Sequence, residues 1–424
     1  MDGPGVLRIR GFPLLLAGET VNATGSWVAV VAIWGFAAFR FDAGAGDLAL
    51  LFVVLSIPGA LLGPLLGVPI DRFGPKKMLV LANLLGMLDA IALTQANSYL
   101  TIILLALPLG LIEALAAASL DAVPPRLMDD AHLVRANALL GGAQDLAVIL
   151  GPLVAAGVNA RWGLTGAFLV DAATFFVGAL VAMRLTVPHV RHDHEGDADA
   201  RSSWREVWAG LTMVRRTDGL RWTLAVVGSV YLLWALFGLL EPLYVRDVLG
   251  ESDTVFAMLQ TVYGVGLVGA GLALAALGDR IARPRYVAIA VIVSGATAAL
   301  YVGTHSVVVA FVGVFLWGVD VAFFYVPAKT LLQRYAPTAY HGRVLSLNQS
   351  LEPLAGMIIT PIGALALGVI SVQALGIVGG AIAAVGGLVA LRLGWRLAVP
   401  TGVAADPRAG TPRDAIALGG SAPG

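Results

Sequence analysis

The 424-residue sequence contains no cysteine, and only 13% of its residues are charged, with 27 basic and 27 acidic residues in balance. The absence of cysteine excludes disulfide bonds and cysteine-ligated metal sites, and the six histidines show no metal-ligand spacing. Balanced charge gives no electrostatic basis for binding nucleic acid. A Gly-x-x-x-x-Gly-Lys-Ser/Thr loop is also missing, which argues against ATP-driven chemistry. We therefore expect no metal, no cofactor and no nucleic-acid partner.

Apolar residues are abundant, at 58% of the chain, and they are arranged in long runs. A helix needs about 20 mostly apolar residues to cross the hydrocarbon core of a bilayer. Twelve runs meet this requirement, near residues 12–39, 47–69, 78–96, 99–123, 137–158, 163–184, 221–245, 254–277, 285–303, 306–328, 344–368 and 372–394. The first run is too long for a signal peptide and lacks a small-residue cleavage site, so we expect it to be the first membrane helix.

The connections between these runs are short, except for one in the middle of the chain. We expect an N-terminal six-helix bundle over residues 1–185 and a C-terminal six-helix bundle over residues 221–396. Between them, residues 186–220 form a predicted cytoplasmic linker with an amphipathic helix, and residues 397–424 form a predicted disordered tail. The fold class is thus an all-α membrane protein.

Basic residues indicate the orientation of the chain. If alternate connections lie on opposite sides, only Arg40, Arg161 and Arg246 of the 27 basic residues fall on the side away from the termini. The positive-inside rule then predicts that both termini are cytoplasmic and that the helix number is even. We therefore expect a multi-pass protein of the cell (inner) membrane.

The two halves of the sequence resemble each other at a separation of about 208 residues. Asp71-Arg72 recurs as Asp279-Arg280, and Arg135 recurs as Arg343. Chance alignment is the alternative, but acids are scarce inside the apolar runs. The spacing predicts two parallel bundles related by an axis along the membrane normal.

A polar stretch between the second and third apolar runs carries a distinctive spacing, formed by Gly67, Asp71, Arg72, Gly74, Lys76 and Lys77. It resembles the loop between membrane helices 2 and 3 of the major facilitator superfamily, with Pro75 as the one departure. Glycine permits close approach or a tight turn, and the bases anchor a cytoplasmic loop. We interpret it as a gating loop in a hairpin, with Asp71 reaching the start of helix 11 at Arg343.

A second stretch resembles the antiporter signature of helix 5 in that family, with Ala147 in place of its first glycine. Gly151, Pro152 and Gly157 follow. Small residues let a helix approach its neighbour closely, and an internal proline bends it. We expect a hinge here, facing a partner helix of the second half; generic small-residue packing is the alternative.

Other stretches, including Gly18-Glu19, Arg135-Ala136-Asn137-Ala138 and His341-Gly342-Arg343, resemble the macrolide and siderophore exporter branch of drug-proton antiporters. Glu19 stands where that branch has glutamine. The resemblance implies twelve membrane helices in two pseudo-symmetric bundles and a transporter, not an enzyme. We expect it to be a monomer.

Acidic residues inside membrane helices are functional candidates because an unpaired charge there is costly. Five lie near the predicted midplane and are our candidates for proton coupling or substrate binding: Asp145, Asp320, Glu19, Glu113 and Glu352. Asp145 could instead pair with Arg135 or with a helix terminus. Asp121 and Glu241 fall near helix ends, where water reaches them, and for Asp89 and Asp171 a structural hydrogen bond is as good an explanation as a function.

Aromatic residues are the candidates for a cavity wall. Five of them stand out on the predicted cavity-lining helices: Trp27, Trp34, Trp234, Trp317 and Phe324. An apolar cavity with a few acids suits a bulky amphipathic or cationic compound. Interfacial anchoring is the alternative for aromatics near helix ends.

These observations predict a proton-coupled secondary exporter of a small drug-like, macrolide-like or siderophore-like compound, which works by alternating access and has protons, a small molecule and the bilayer as partners. A metabolite or lipid facilitator or importer of the same fold is one alternative. A membrane sensor that does not transport is the other, because a fold does not fix a function.

Overall fold

The protein is described by a computed structural model that covers residues 5–62, 65–187, 210–277, 281–337 and 340–398. Most of the predicted linker (188–209), the repeat motif at Asp279-Arg280 and nearly all of the predicted tail (399–424) lie outside these described residues, although residues 210–216 are helical. All the elements of the described chain are helices.

Up to residue 187, the described residues form seven α-helices after a short 3-10 turn. They are α1 (Phe12–Gly35, continued by a π-helical turn at Phe36–Arg40), α2 (Ala45–Leu62), α3 (Gly67–Phe73), α4 (Pro75–Leu93), α5 (Tyr99–Asp121), α6 (Pro124–Leu127) and α7 (Asp130–Arg184).

From residue 218 onward, the described residues form six α-helices. They are α8 (Asp218–Leu243, continued by a π-helical turn at Tyr244–Val248), α9 (Asp253–Leu277), α10 (Pro284–Val302), α11 (Val307–Tyr335), α12 (His341–Ala366) and α13 (Val372–Gly394).

Helix α7 is two helices joined at a kink. Gly163 has φ 68° and ψ −177°, in the region that only glycine adopts without strain, and it divides α7 into α7a (residues 130–162) and α7b (residues 164–184). The two predicted runs 137–158 and 163–184 therefore fall on consecutive segments with almost no connection.

In the described parts of the chain, nine helices are long and apolar enough to cross a membrane, with α7 counted once. The protein is a multi-pass membrane protein. Helices α4 and α12 are not among the nine; α4 contains Lys76, Lys77 and Asp89. The count of exactly twelve spans and the division into two six-helix bundles stay predictions.

Helix packing has a pattern that positions the cavity. Helices α1, α2, α4, α5 and α7 pack mainly on one another, and α8 to α13 do likewise. We call these the first and second groups. Between the groups, α7 packs on α9 and α2 packs on α12. The cleft between the two groups is therefore bordered by two helix pairs, α7 with α9 and α2 with α12.

The two groups are joined more tightly at one end than at the other. A single buried cluster contains Phe36 and Ala37 of the first group together with Phe237, Tyr244 and Phe256 of the second. At the opposite end, each group has a separate cluster: one contains Phe12 and Leu15, and another contains Leu220 and Tyr335. We call the end with the shared cluster the closed end.

Arg246 fastens the closed end. Its Nη1 donates hydrogen bonds to the carbonyl oxygens of Ala38 at 2.7 Å and Ala43 at 2.9 Å, and it pairs with Asp42 at 3.0 Å. Asp42 has φ 51°, a strained conformation that the short aspartate side chain tolerates. Arg246 also pairs with neighbouring Asp247 at 2.6 Å. Three acceptors of the first group therefore share one arginine of the second.

The glycines of α7a do not have the neighbours that the sequence suggested. A Cβ at Gly151 would lie 2.2 Å from the Cβ of Trp27 on α1, so this glycine permits close packing within the first group. Gly157 has nothing within 4 Å of that position. Next to Gly151, Pro152 does contact the second group: its carbonyl oxygen accepts a hydrogen bond from Thr261 at 3.1 Å.

We expect Arg246→Ala to open the closed end. Losing even one charge-assisted hydrogen bond of about 1.5 kcal/mol should shift the population roughly tenfold. Because the chain has no cysteine, Gly46→Cys and Ser252→Cys can carry spin labels for distance measurements across this end. The control is Arg40→Ala, since Arg40 stacks on Phe36 of its own group at 4.8 Å. An identical distance distribution in Arg246→Ala and the control would contradict the assigned role.

Gly151→Leu should destabilise the contact between α1 and α7a. Forcing a side chain into this close contact costs about 1–3 kcal/mol by overpacking. The thermal unfolding midpoint of purified protein should fall, while that of the matched variant Gly157→Leu should stay near the wild-type value. Equal midpoints for both variants would show that α1 and α7a are not in close contact at Gly151.

Candidate functional site

A cavity of about 310 Å³ lies between the two groups of helices. The first group contributes Trp27, Val30, Val31, Trp34, Phe52, Val148 and Pro152. The second contributes Trp234, Ala235, Phe237, Gly238, Glu241, Phe256, Gln260, Tyr263, Tyr301, Val314, Trp317 and Glu352. None of these described lining residues is basic. The surface is apolar and aromatic, with two carboxyl groups.

Aromatic rings form both walls of the cavity. Trp34 lies 6.5 Å from Phe52 between ring centroids in the first group, and Phe237 lies 4.3 Å from Trp317 in the second. Four of the five predicted cavity aromatics, including Trp27 and Trp234, are lining residues. Phe324 is different: it is fully buried behind Trp234, at 5.8 Å between centroids.

Glu241 is a cavity residue that the sequence analysis placed at a helix end. Its Oε1 accepts a hydrogen bond from the Tyr301 hydroxyl at 2.6 Å, and its Oε2 accepts one from Gln260 Nε2 at 2.8 Å. The helical stretch continues past Glu241 to Val248, which places this carboxyl deeper than the run 221–245 indicated. The sequence feature that could have indicated this role is the presence of an acidic residue directly before Pro242 in an otherwise apolar run.

Glu352 and Asp320 lie on the second group in contrasting environments. Glu352 is exposed and lines the cavity. Asp320 is only 4% exposed, accepts a hydrogen bond from the Ser294 hydroxyl and is not a lining residue. The cavity residue Tyr263 lies within electrostatic range of Glu241, Glu352 and Asp320. Two of these carboxyls, Glu241 and Glu352, line the cavity, and Asp320 lies behind its wall.

The first group has its own set of acids. Glu19 on α1 lies within electrostatic range of Glu113 and Asp121 on α5, and it accepts a hydrogen bond from Gln144 at 3.4 Å. Asp145 belongs to α7a, but its side chain lies outside the described residues. None of these predicted candidates is among the described residues that line the cavity.

Asp89 on α4 and Asp171 on α7b face the interior of the first group. They are 7% and 1% exposed, and each has one carboxyl oxygen without a hydrogen-bond partner among the described residues. Across the described chain, no group of three or more His, Cys, Asp or Glu is placed to hold a metal ion.

The predicted gating loop contains a short helix, α3, followed by a tight turn at Gly74. Gly67 begins α3, and nothing lies within 4 Å of a Cβ built on it, so close backbone approach does not explain this glycine. Gly74, with φ 89°, makes the turn into α4, whose first residues include Lys76 and Lys77. Arg72 lies over the ring of the neighbouring Phe73 at 5.3 Å.

Asp71 contacts a residue of its own group. It pairs with Arg126 at 3.6 Å and remains 69% exposed, while Arg126 also donates to the carbonyl oxygen of Ala122. The side chain of Arg343, its predicted partner, lies outside the described residues. The exposed pair makes a weak contact.

Solved transporters share this fold. A POT family transporter in complex with 5-aminolevulinic acid aligns with a TM-score of 0.69 at 13% identity, over 91% of this chain and 96% of that one. The nucleoside transporter NupG aligns with a TM-score of 0.62 at 12% identity, over 92% of this chain and 100% of that one. At these identities the similarity concerns the fold alone.

Two relatives are more similar in sequence. The chain is 22% identical over 366 residues to the uncharacterised MFS-type transporter YfiS of Bacillus subtilis (strain 168). This alignment covers 84% of this chain and 87% of the relative. It is 25% identical over 334 residues to macrolide efflux protein A of Streptococcus pyogenes, in an alignment that covers 74% of this chain and 79% of the relative.

The family profile described as Major Facilitator Superfamily matches residues 15–250 and again residues 223–417. Together the two matches cover nearly the whole chain, including both walls of the cavity. They agree with the helical fold, the apolar spans and the transporters among the relatives. The chain belongs to the major facilitator superfamily and is a membrane transporter, not an enzyme.

Proposed function

We propose that this protein exports a bulky amphipathic or cationic compound in exchange for protons, by alternating access of the cavity between its two groups of helices. The observation that carries the proposal is the lining of that cavity, in which aromatic rings of both groups surround two carboxyl groups with no basic residue among the described lining. Twelve spans in two six-helix bundles form the framework.

The cavity supports a drug-sized cargo. Its volume of about 310 Å³ is at the lower end of small-molecule sites, and its lining is mostly apolar with a few polar groups, which is typical of them. Tryptophan faces suit flat apolar surfaces and cations. Sugar phosphates and other anions, in contrast, would find no basic residue among those that line it.

The uneven packing of the two ends supports alternating access. The groups share a hydrophobic cluster and the contacts of Arg246 at the closed end, while their clusters are separate at the other. Rocking the groups about the cavity would exchange these arrangements. The charge of the connections supports cytoplasmic termini in the cell membrane, so the cavity of this conformation would face the cytoplasm. The transporter would act as a monomer.

Carboxyl groups without basic partners support proton coupling. Asp320 is buried beside Ser294, and among the described residues it has no cationic partner, so it is best accommodated with a proton. Glu352 reaches the cavity, where it can exchange a proton with water. We assign the coupling role first to Asp320 and, from sequence alone, Asp145; Glu352, Glu19 and Glu113 are the next candidates.

Export is supported by the relatives named macrolide efflux protein A and by the resemblance of the Gly151-Pro152 stretch to the antiporter signature. An importer or facilitator of the same fold, and a sensor that does not transport, remain alternatives of different classes. Tetraphenylphosphonium and a macrolide, loaded into cells with and without an imposed pH gradient, separate them. We expect the cells to lose cargo only when the pH gradient is imposed. Loss of cargo without the gradient indicates a facilitator, and no transport of cargo indicates a sensor.

Asp320→Asn should uncouple cargo from protons. The amide fills the same space beside Ser294 but cannot release a proton, so the variant should exchange cargo down its own gradient at near wild-type rates. It should fail to concentrate cargo against that gradient. The measurement is tetraphenylphosphonium accumulation in inverted vesicles with an imposed pH gradient.

The matched control is Asp218→Asn, because Asp218 is exposed and pairs with Arg221 at the surface, at 2.8 Å. It should accumulate cargo like the wild type. Full gradient-driven accumulation by Asp320→Asn would place the coupling carboxyl elsewhere or rule out proton exchange.

A further inference from the structure

The Glu241 carboxyl is held in a fixed position at the cavity wall, where it can balance the charge of a bound cation. Both of its carboxyl oxygens accept a hydrogen bond, from Tyr301 on α10 and Gln260 on α9, and Tyr301 is itself only 2% exposed. Three helices thus hold one carboxyl group at the cavity wall. A carboxylate has about four acceptor positions, so these two donors leave room for a further partner.

That further partner is not supplied by the described part of the chain. The described ion pairs join Asp71, Asp218, Asp42 and Asp247 to arginines, and none includes Glu241. Both of its donors are neutral, so they favour the ionised carboxylate without cancelling its charge. In its ionised form this carboxylate would be neutralised by a positive group that approaches from the cavity.

Space for such a group lies one helical turn before Glu241. Gly238 precedes it by three residues on the same face of α8, and nothing lies within 4 Å of the position that a Cβ would take. Pro242 has no amide hydrogen, so the carbonyl oxygen of Gly238 lacks the donor that residue 242 would normally supply. An open space therefore lies one helical turn from Glu241, in a part of α8 where one backbone acceptor has lost its usual donor.

Aromatic rings complete this part of the wall. Phe237 precedes Glu241 by one turn and lies 4.3 Å from Trp317 between ring centroids, and Trp317 lies 6.3 Å from Tyr301. Tyr263 also lines the cavity and lies within electrostatic range of Glu241. Aromatic faces attract cations and bind the apolar substituents around them.

We infer that Glu241 is the specificity-determining residue of the cavity and that it binds a monocationic group of the cargo, such as a substituted ammonium, in the space beside Gly238. The inference rests on the proposed function for the identity of the cavity as a cargo site. It assigns cargo charge to Glu241 and leaves the proton to the other carboxyls. Neutral cargo of the same size would bind without this contact.

Two aromatic probes of similar size test the inference. Tetraphenylphosphonium carries a permanent positive charge, and triphenylphosphine oxide is neutral. Binding of each to purified protein in detergent, at fixed pH and without any gradient, is followed by quenching of tryptophan fluorescence. Glu241→Gln should weaken tetraphenylphosphonium binding about tenfold or more and leave triphenylphosphine oxide binding nearly unchanged, which also shows that the variant is folded.

Two further variants separate a local contact from the total charge of the cavity. Glu352→Gln removes the other cavity carboxyl and should weaken tetraphenylphosphonium binding by much less than Glu241→Gln. Gly238→Leu fills the space beside Glu241 and should weaken tetraphenylphosphonium binding while Glu241 remains in place.

Wild-type affinity for the cation in Glu241→Gln, equal losses for both probes, or no binding of the cation to the wild type would overturn the inference. Because the assay needs no proton gradient, such a failure leaves proton-coupled export to be judged by the vesicle measurements. Conversely, charge-selective binding through Glu241 in a protein that fails to transport would uphold the site and refute the proposed function.

Discussion

The cost of burying an unpaired charge in hydrocarbon governs the arrangement of this protein. The chain places its arginines and lysines almost entirely in the connections and at helix ends, while carboxyl groups remain inside the helices. The carboxyl groups of the second group of helices show three environments: hydroxyl and amide donors for Glu241, a hydroxyl donor for Asp320, and exposure to the cavity for Glu352. Protons and cationic cargo are the partners that could neutralise them.

The cavity exists because the two groups of helices pack tightly within themselves and meet mainly at one end. Close contacts such as that of Gly151 with Trp27 make each group a compact unit. Across the cleft, the bonds from Arg246 and from Thr261 to Pro152 are few and polar, and can be exchanged at modest cost. Rigid units joined by breakable contacts are what rocking motion requires.

Sequence reasoning located the helices well because a bilayer demands long apolar runs, and the runs at 285–303 and 372–394 fall within a residue or two of α10 and α13. It failed where contacts with residues distant in the sequence determine the local structure or the role of a side chain. Residues 67–73 of the expected loop form a short helix, and Gly151 faces α1 where a second-half partner was expected. The importance of Glu241 depends on donors 19 and 60 residues away in sequence, which no local pattern reveals.

Export coupled to protons is the central claim, and it is tested most directly by proton movement that cargo induces. Wild-type protein is reconstituted into sealed vesicles that contain a pH-sensitive dye, without any imposed gradient, and tetraphenylphosphonium is added to one side. If cargo is exchanged for protons, protons should leave the vesicles as cargo enters, so the internal pH should rise. This rise should be proportional to the cargo transported and absent from vesicles without protein. Cargo entry at the same rate without any protein-dependent pH change would contradict the account.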